Sequence, residues 1–82
     1  MGRRTESTLP AIPMGYRKIA DDLRFRIKSG EYAPGTRLPT YAELADLYSS
    51  SVSTVQRATL LLRAEGLIEG VQGLGLYVAE WR

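Results

Sequence analysis

The sequence contains no cysteine and no histidine. Without cysteine there are neither disulfides nor thiolate metal ligands. Without histidine the chain lacks the commonest metal ligand and the usual general base near neutral pH. No apolar run approaches the length of a membrane span or a signal-peptide core, so the cytoplasm is the expected compartment. Charge imbalance is also small, +2 over 82 residues with a pI near 9.2. Any preference for an anionic partner must therefore come from how the charges are distributed. No carboxylate pair converges in the sequence, and one domain of this length leaves little room for a pocket, so an enzyme is not expected. Neither a metal nor a cofactor is expected.

What is present is a normal globular apolar content, 44%, arranged in clear periods. Residues 1–13, MGRRTESTLPAIP, lack any such period and hold two prolines. They are expected to form a flexible arm, basic at Arg3 and Arg4, that precedes a folded domain spanning 14–82. An arm of this kind either solubilises the chain or touches phosphate or a minor groove.

Tyr16, Ile19, Ala20, Leu23 and Ile27 then fall on one stripe of an amphipathic helix, with Arg17, Lys18, Arg24 and Lys28 on its other faces. Gly30 is a natural stop. In the loop that follows, Pro34-Gly35 fits the middle of a type II turn, and Arg37-Leu38 has the look of a very short strand. Thr40-Tyr-Ala-Glu43 reads as a capping box opening a helix of about nine residues, whose Leu44, Ala45, Leu47 and Tyr48 are expected to point inward.

That helix runs into Ser49, Ser50, Ser51 and Ser53, with Thr54 beside them. A linker is one reading of this hydroxyl run. Ser51-x-x-Thr54 supplies another: Ser51 as the N-cap of a third helix, buried along Val55, Ala58, Thr59 and Leu62 and ended by Gly66. Leu67-Ile68 and Leu76-Tyr77-Val78 then flank Gly70, Gly73 and Gly75 as a β-hairpin. The order is helix, helix, tight turn, helix, hairpin. That is a three-helix winged helix-turn-helix, mainly α with a small β-hairpin.

In such a domain the second helix of the pair lies in the major groove, and its first turn meets base edges. Its N-terminus carries free N–H groups and partial positive charge. Small hydroxyl residues let the backbone approach a duplex and can bond phosphate or bases. No acid occurs between Tyr48 and Arg63. Val52, Ser53, Gln56 and Arg57 point away from the buried stripe. Gln56 has the groups to pair with adenine, Val52 to meet a thymine methyl, and Arg57 to meet phosphate. The same residues also fit an ordinary solvated helix face. Arg17, Lys18 and Arg37 are further phosphate candidates. The wing tip Gln72-Gly73-Leu74-Gly75 permits close backbone approach to a sugar-phosphate strand or minor groove, although a leucine replaces the expected cation.

Taken together, YRKIADDLRFRIKSGEYAPGTRLPT, AELADLY, VSTVQRAT and RAEGLIEGVQGLGLYV, in this order and spacing, resemble the DNA-binding domain of the GntR family of bacterial transcription regulators. The resemblance implies a winged helix-turn-helix that binds double-stranded operator DNA, usually as a dimer on an inverted repeat. Carried over by position, it puts DNA contacts on Thr40 and Tyr41, on Ser51, Val52, Ser53, Thr54 and Gln56, and on Gln72 and Gly73. There are departures. Ala42, Val52 and Gln56 stand where many members have arginine, and Ser49-Ser50 replaces the usual Gly-Val pair of the turn. Members also normally carry a C-terminal effector and dimerisation domain, whereas the sequence stops at Arg82. A stand-alone short regulator is expected, with an N-terminal piece of a longer one as the alternative.

Leu60 and Leu61, with Phe25 or Trp81, have the composition of a small dimer patch. The leading expectation is a bacterial, sequence-specific, DNA-binding repressor. The competing one is a winged-helix module that binds proteins without specific DNA recognition. Steep salt dependence of duplex binding separates the two.

Overall fold

The computed structural model describes residues 15–80. The expected arm at 1–13 and Trp81 lie outside the described residues. Three helices are followed by a two-stranded antiparallel hairpin: α1 (Tyr16–Lys28), α2 (Tyr41–Leu47), α3 (Val52–Ala64), β1 (Ile68–Val71) and β2 (Gly75–Val78). None of the described helices is long and apolar enough to cross a membrane.

Helical spacing becomes packing directly. Ile19, Ala20, Leu23 and Ile27 of α1 are buried, as are Val55, Ala58, Thr59 and Leu62 of α3. The two stripes face each other, and α2 closes the core with Leu44 and Ala45, joined by Tyr48 at its end. Thr59 is the one buried polar residue in the described core, and its hydroxyl donates to Gln56 O at 2.8 Å. The bond satisfies a group that burial would otherwise penalise.

Helix α2 has seven residues, rather than about nine, and this corrects one assignment. Leu47 does not point inward; it is 51% exposed. On so short a helix the inward stripe is complete with Leu44, Ala45 and Tyr48, and Leu47 falls on the next face round.

Both expected caps form. Thr40 Oγ1 accepts from Glu43 N at 3.1 Å, while Glu43 Oε1 accepts from Thr40 N at 2.8 Å. Ser51 Oγ accepts from Thr54 N at 3.1 Å. These caps fix where α2 and α3 begin, and so where their N–H groups point. Between them the chain reverses in a paired-bond cap: Ser50 N donates to Ala45 O at 2.9 Å and Ser49 N to Asp46 O at 3.2 Å. That geometry requires a left-handed residue. Ser49 takes it, at φ 51°.

The hairpin pairs Ile68 with Val78 and Val71 with Gly75. It is anchored by the burial of Ile68, Leu76 and Val78. The segment around Arg37 lies along β2, through Leu38 N to Leu76 O at 2.8 Å and Val78 N to Thr36 O at 2.9 Å. The expected short strand is thus an isolated bridge, Arg37 with Tyr77. Thr36 N donates to Ala33 O at 3.1 Å, with Gly35 at φ 82°, as a type II turn at Pro34-Gly35 requires.

Candidate nucleic-acid interface

The start of α3 is the first of three groupings. Ser51 Oγ caps Thr54 N and also lies 3.1 Å from Ser53 Oγ and 2.8 Å from Thr54 Oγ1. Three hydroxyls therefore share one network at a helix N-terminus. Val52, Ser53, Gln56 and Arg57 are exposed beside it, and the first turn contains no acid. The amides of Val52 and Ser53 belong to the first turn, which has no intrahelical acceptor. Such an end attracts anions.

The second grouping is a cation pair on an aromatic ring. Arg57 Cζ lies 4.7 Å from the centre of the Tyr16 ring, and Arg17 Cζ lies 5.7 Å from it. Arg17 Nε also donates to Tyr16 Oη at 3.4 Å. This bond, then the guanidinium charge, holds the Tyr16 phenol below its usual range. Tyr16 thus fixes Arg57 at the edge of the α3 surface without neutralising it.

The third grouping joins α2 to the wing. Arg37, Thr40 and Tyr41 line a groove with Gly75 and Leu76. A neighbouring groove is lined by Tyr41, Arg63 and the wing residues from Gly70 to Gly73. Gly73 has φ 81°, and Leu74 N donates to Val71 O at 2.9 Å. This is a tight turn whose third residue must be left-handed, which explains the glycine. Leu74 projects from the tip, 58% exposed.

Of the residues singled out from sequence, the structure gathers Ser51, Ser53 and Thr54; Arg17 and Arg57; and Arg37, Thr40, Tyr41, Gln72 and Gly73. Lys18 stands apart, lining a groove with Asp21, Asp22 and Phe25. Arg63 escaped the sequence reading. In sequence it is merely a cation near a helix end, and only the docking of the hairpin brings it to Gly70 and Tyr41.

Acids are concentrated elsewhere. Arg24 bonds Asp21 at 2.8 Å and Glu65 at 2.6 Å, and Arg26 bonds Asp22 at 2.7 Å and Glu31 at 2.6 Å. The Tyr48 hydroxyl also donates to Asp22, at 2.6 Å. That bond, then Arg26, holds the Asp22 carboxyl below the usual carboxylate range, and Arg24 does the same for Glu65. Among the described residues, Arg37, Arg57 and Arg63 make no ion pair.

A tight turn between two helices, the second capped and exposed at its start, with a hairpin packed behind it, defines a winged helix-turn-helix domain. Residues 15–78 match the family of bacterial regulatory proteins called the gntR family, and the chain belongs to it. It is 42% identical over 67 residues to the mannosyl-D-glycerate transport/metabolism system repressor MngR of Escherichia coli (strain K12), covering 82% of this chain and 28% of that one. It is 38% identical over 65 residues to the histidine utilization repressor of Klebsiella aerogenes, covering 79% of this chain and 27% of that one. The chain thus spans little more than a quarter of the length of these curated relatives. Among solved structures it is similar to AraR(DBD) in complex with operator ORX1, with a TM-score of 0.76, 30% identity, and 96% of this chain and 90% of that chain covered.

Proposed function

We propose that this chain binds double-stranded DNA in a sequence-specific manner and acts as a transcriptional repressor. The observation that carries the reading is the start of α3: a capped, acid-free helix N-terminus with exposed Val52, Ser53, Gln56 and Arg57. In this reading α3 enters the major groove. Ser51, Ser53 and Thr54 meet phosphate or base edges, Gln56 pairs with adenine, and Val52 meets a thymine methyl. Arg57, Arg17 and Arg37 contact phosphate, with Lys18 at the margin. Thr40 and Tyr41 approach the backbone from the start of α2, and Gln72 and Gly73 approach the sugar-phosphate strand or minor groove. Repression follows from occluding a promoter, in keeping with the two relatives named as repressors and with a similar domain solved on an operator.

The exposed side chains of Phe25, Leu60 and Leu61 supply apolar surface for a homodimer on an inverted repeat. Selection of the purified chain on random duplex DNA tests both parts. Enrichment of an inverted repeat supports the reading with its dimer. Enrichment of a single half-site supports the reader and removes the dimer. No enrichment at low salt would overturn DNA reading and favour a protein-binding module.

A further inference from the structure

Arg63 sits in the last turn of α3, exposed, in the groove between the start of α2 and the wing. We infer that it clamps a backbone phosphate of the bound duplex there, joining the recognition helix to the wing; the inference rests on the DNA-binding reading above. Gly70 gives the first independent observation. It is not among the glycines with positive φ, so its backbone conformation does not require glycine. A Cβ at this position would lie 3.2 Å from Arg63 Nη2 and 3.3 Å from Arg63 Cζ. The bare backbone of Gly70 leaves the guanidinium room to lie against the wing, where a Cβ would push it aside by a few tenths of an ångström.

The second observation is what Arg63 does not touch. Among the described residues its guanidinium makes no hydrogen bond or ion pair, and no acid lines its groove. Glu65, two positions on, is held by Arg24 through both oxygens, at 2.8 and 2.6 Å. Five donors in a planar fork therefore face a groove whose other polar groups are Tyr41, Gln72 and glycine peptides. That is a match for a phosphate, which a guanidinium binds in bidentate fashion. The wing tip, Gln72-Gly73-Leu74, has no cation of its own. Arg63 supplies one from the helix beside it.

The test uses the whole chain and two labelled duplexes, one enriched by selection and one of random sequence, titrated over a range of salt. Arg63→Ala is expected to bind both about tenfold more weakly, the loss of one charge-assisted contact. The slope of log affinity against log salt should fall by about 0.9, one released counterion. Arg63→Lys should keep the slope. The Arg63→Ala loss should be the same when single base pairs of the enriched duplex are changed. Thermal melting of each variant confirms the fold, and Arg63→Gln replaces the alanine variant if that one melts early. Unchanged affinity, a loss with unchanged slope, or a loss confined to particular base pairs would overturn the phosphate assignment. If the wild-type chain binds neither duplex, the DNA-binding reading fails and this inference with it. If the wild type binds and Arg63 is indifferent, only this inference fails.

Discussion

Arg24 and Arg26 project from the second half of α1 into carboxylates, at 2.6–2.8 Å from four of them. Arg57 and Arg63 project from α3 into none among the described residues. The arginines in the second half of α1 are consumed by the fold, and those of α3 are left open to a partner. The net charge of +2 conceals this sorting. A surface for a polyanion needs local charge and no competing acid, and a modest total can provide both.

The largest effect should come from reversing a charge on the open side. Arg57→Glu removes the proposed phosphate contact and adds repulsion. Affinity for the enriched duplex is expected to fall about a hundredfold, measured by anisotropy titration, with the fold retained. The matching cut on the paired side is Asp22→Ala. It leaves the Tyr48 hydroxyl, on a largely buried side chain, without its acceptor. Stability should drop by about 1 to 2 kcal/mol in urea melts, with DNA affinity unchanged.

The same pair of regions predicts the acid response. Folding depresses the pKa of Asp22 and Glu65. Their contribution is present above the unfolded carboxylate pKa and is lost as pH falls through the lower folded value, so stability should decline below about pH 4. Asp22→Ala should show a shallower decline.

A smaller effect concerns the turn on which the open side is built. Left-handed backbone costs a non-glycine residue about 1 kcal/mol or more, offset in part by the greater freedom of unfolded glycine. Ser49→Gly should therefore raise stability by about 0.5 to 1 kcal/mol and leave affinity unaltered. The smallest effect is the exposed Arg24–Glu65 pair. A double-mutant cycle to alanine should give a coupling of about 0.5 kcal/mol, with no change in DNA binding.

Much of this was legible in the residues because its physics is local. Thr40 with Glu43, Ser51 with Thr54, and Pro34-Gly35 each announce a cap or turn within four positions. The stripes of α1 and α3 follow helical period, and the hairpin follows its glycines. What escaped depends on distant packing or on an atypical residue. Leu47 fits a helical stripe on paper, but the core is already closed by its neighbours. The Arg24–Glu65 bond spans 41 positions. Arg63 gains its groove only when β1 docks beside α3. Ser49 gives no sign of left-handed backbone by its own chemistry, and only the resemblance placed a glycine there. The candidate site was therefore readable as three short segments, while the cation linking helix to wing was not.

The most direct test is equilibrium binding to the enriched duplex and to a shuffled duplex of the same composition, at one moderate salt concentration. A preference on the order of a thousandfold for the enriched sequence is expected, lost largely when Gln56 is replaced by alanine. Equal affinity for the two duplexes, or a preference that survives Gln56→Ala intact, would contradict reading by α3.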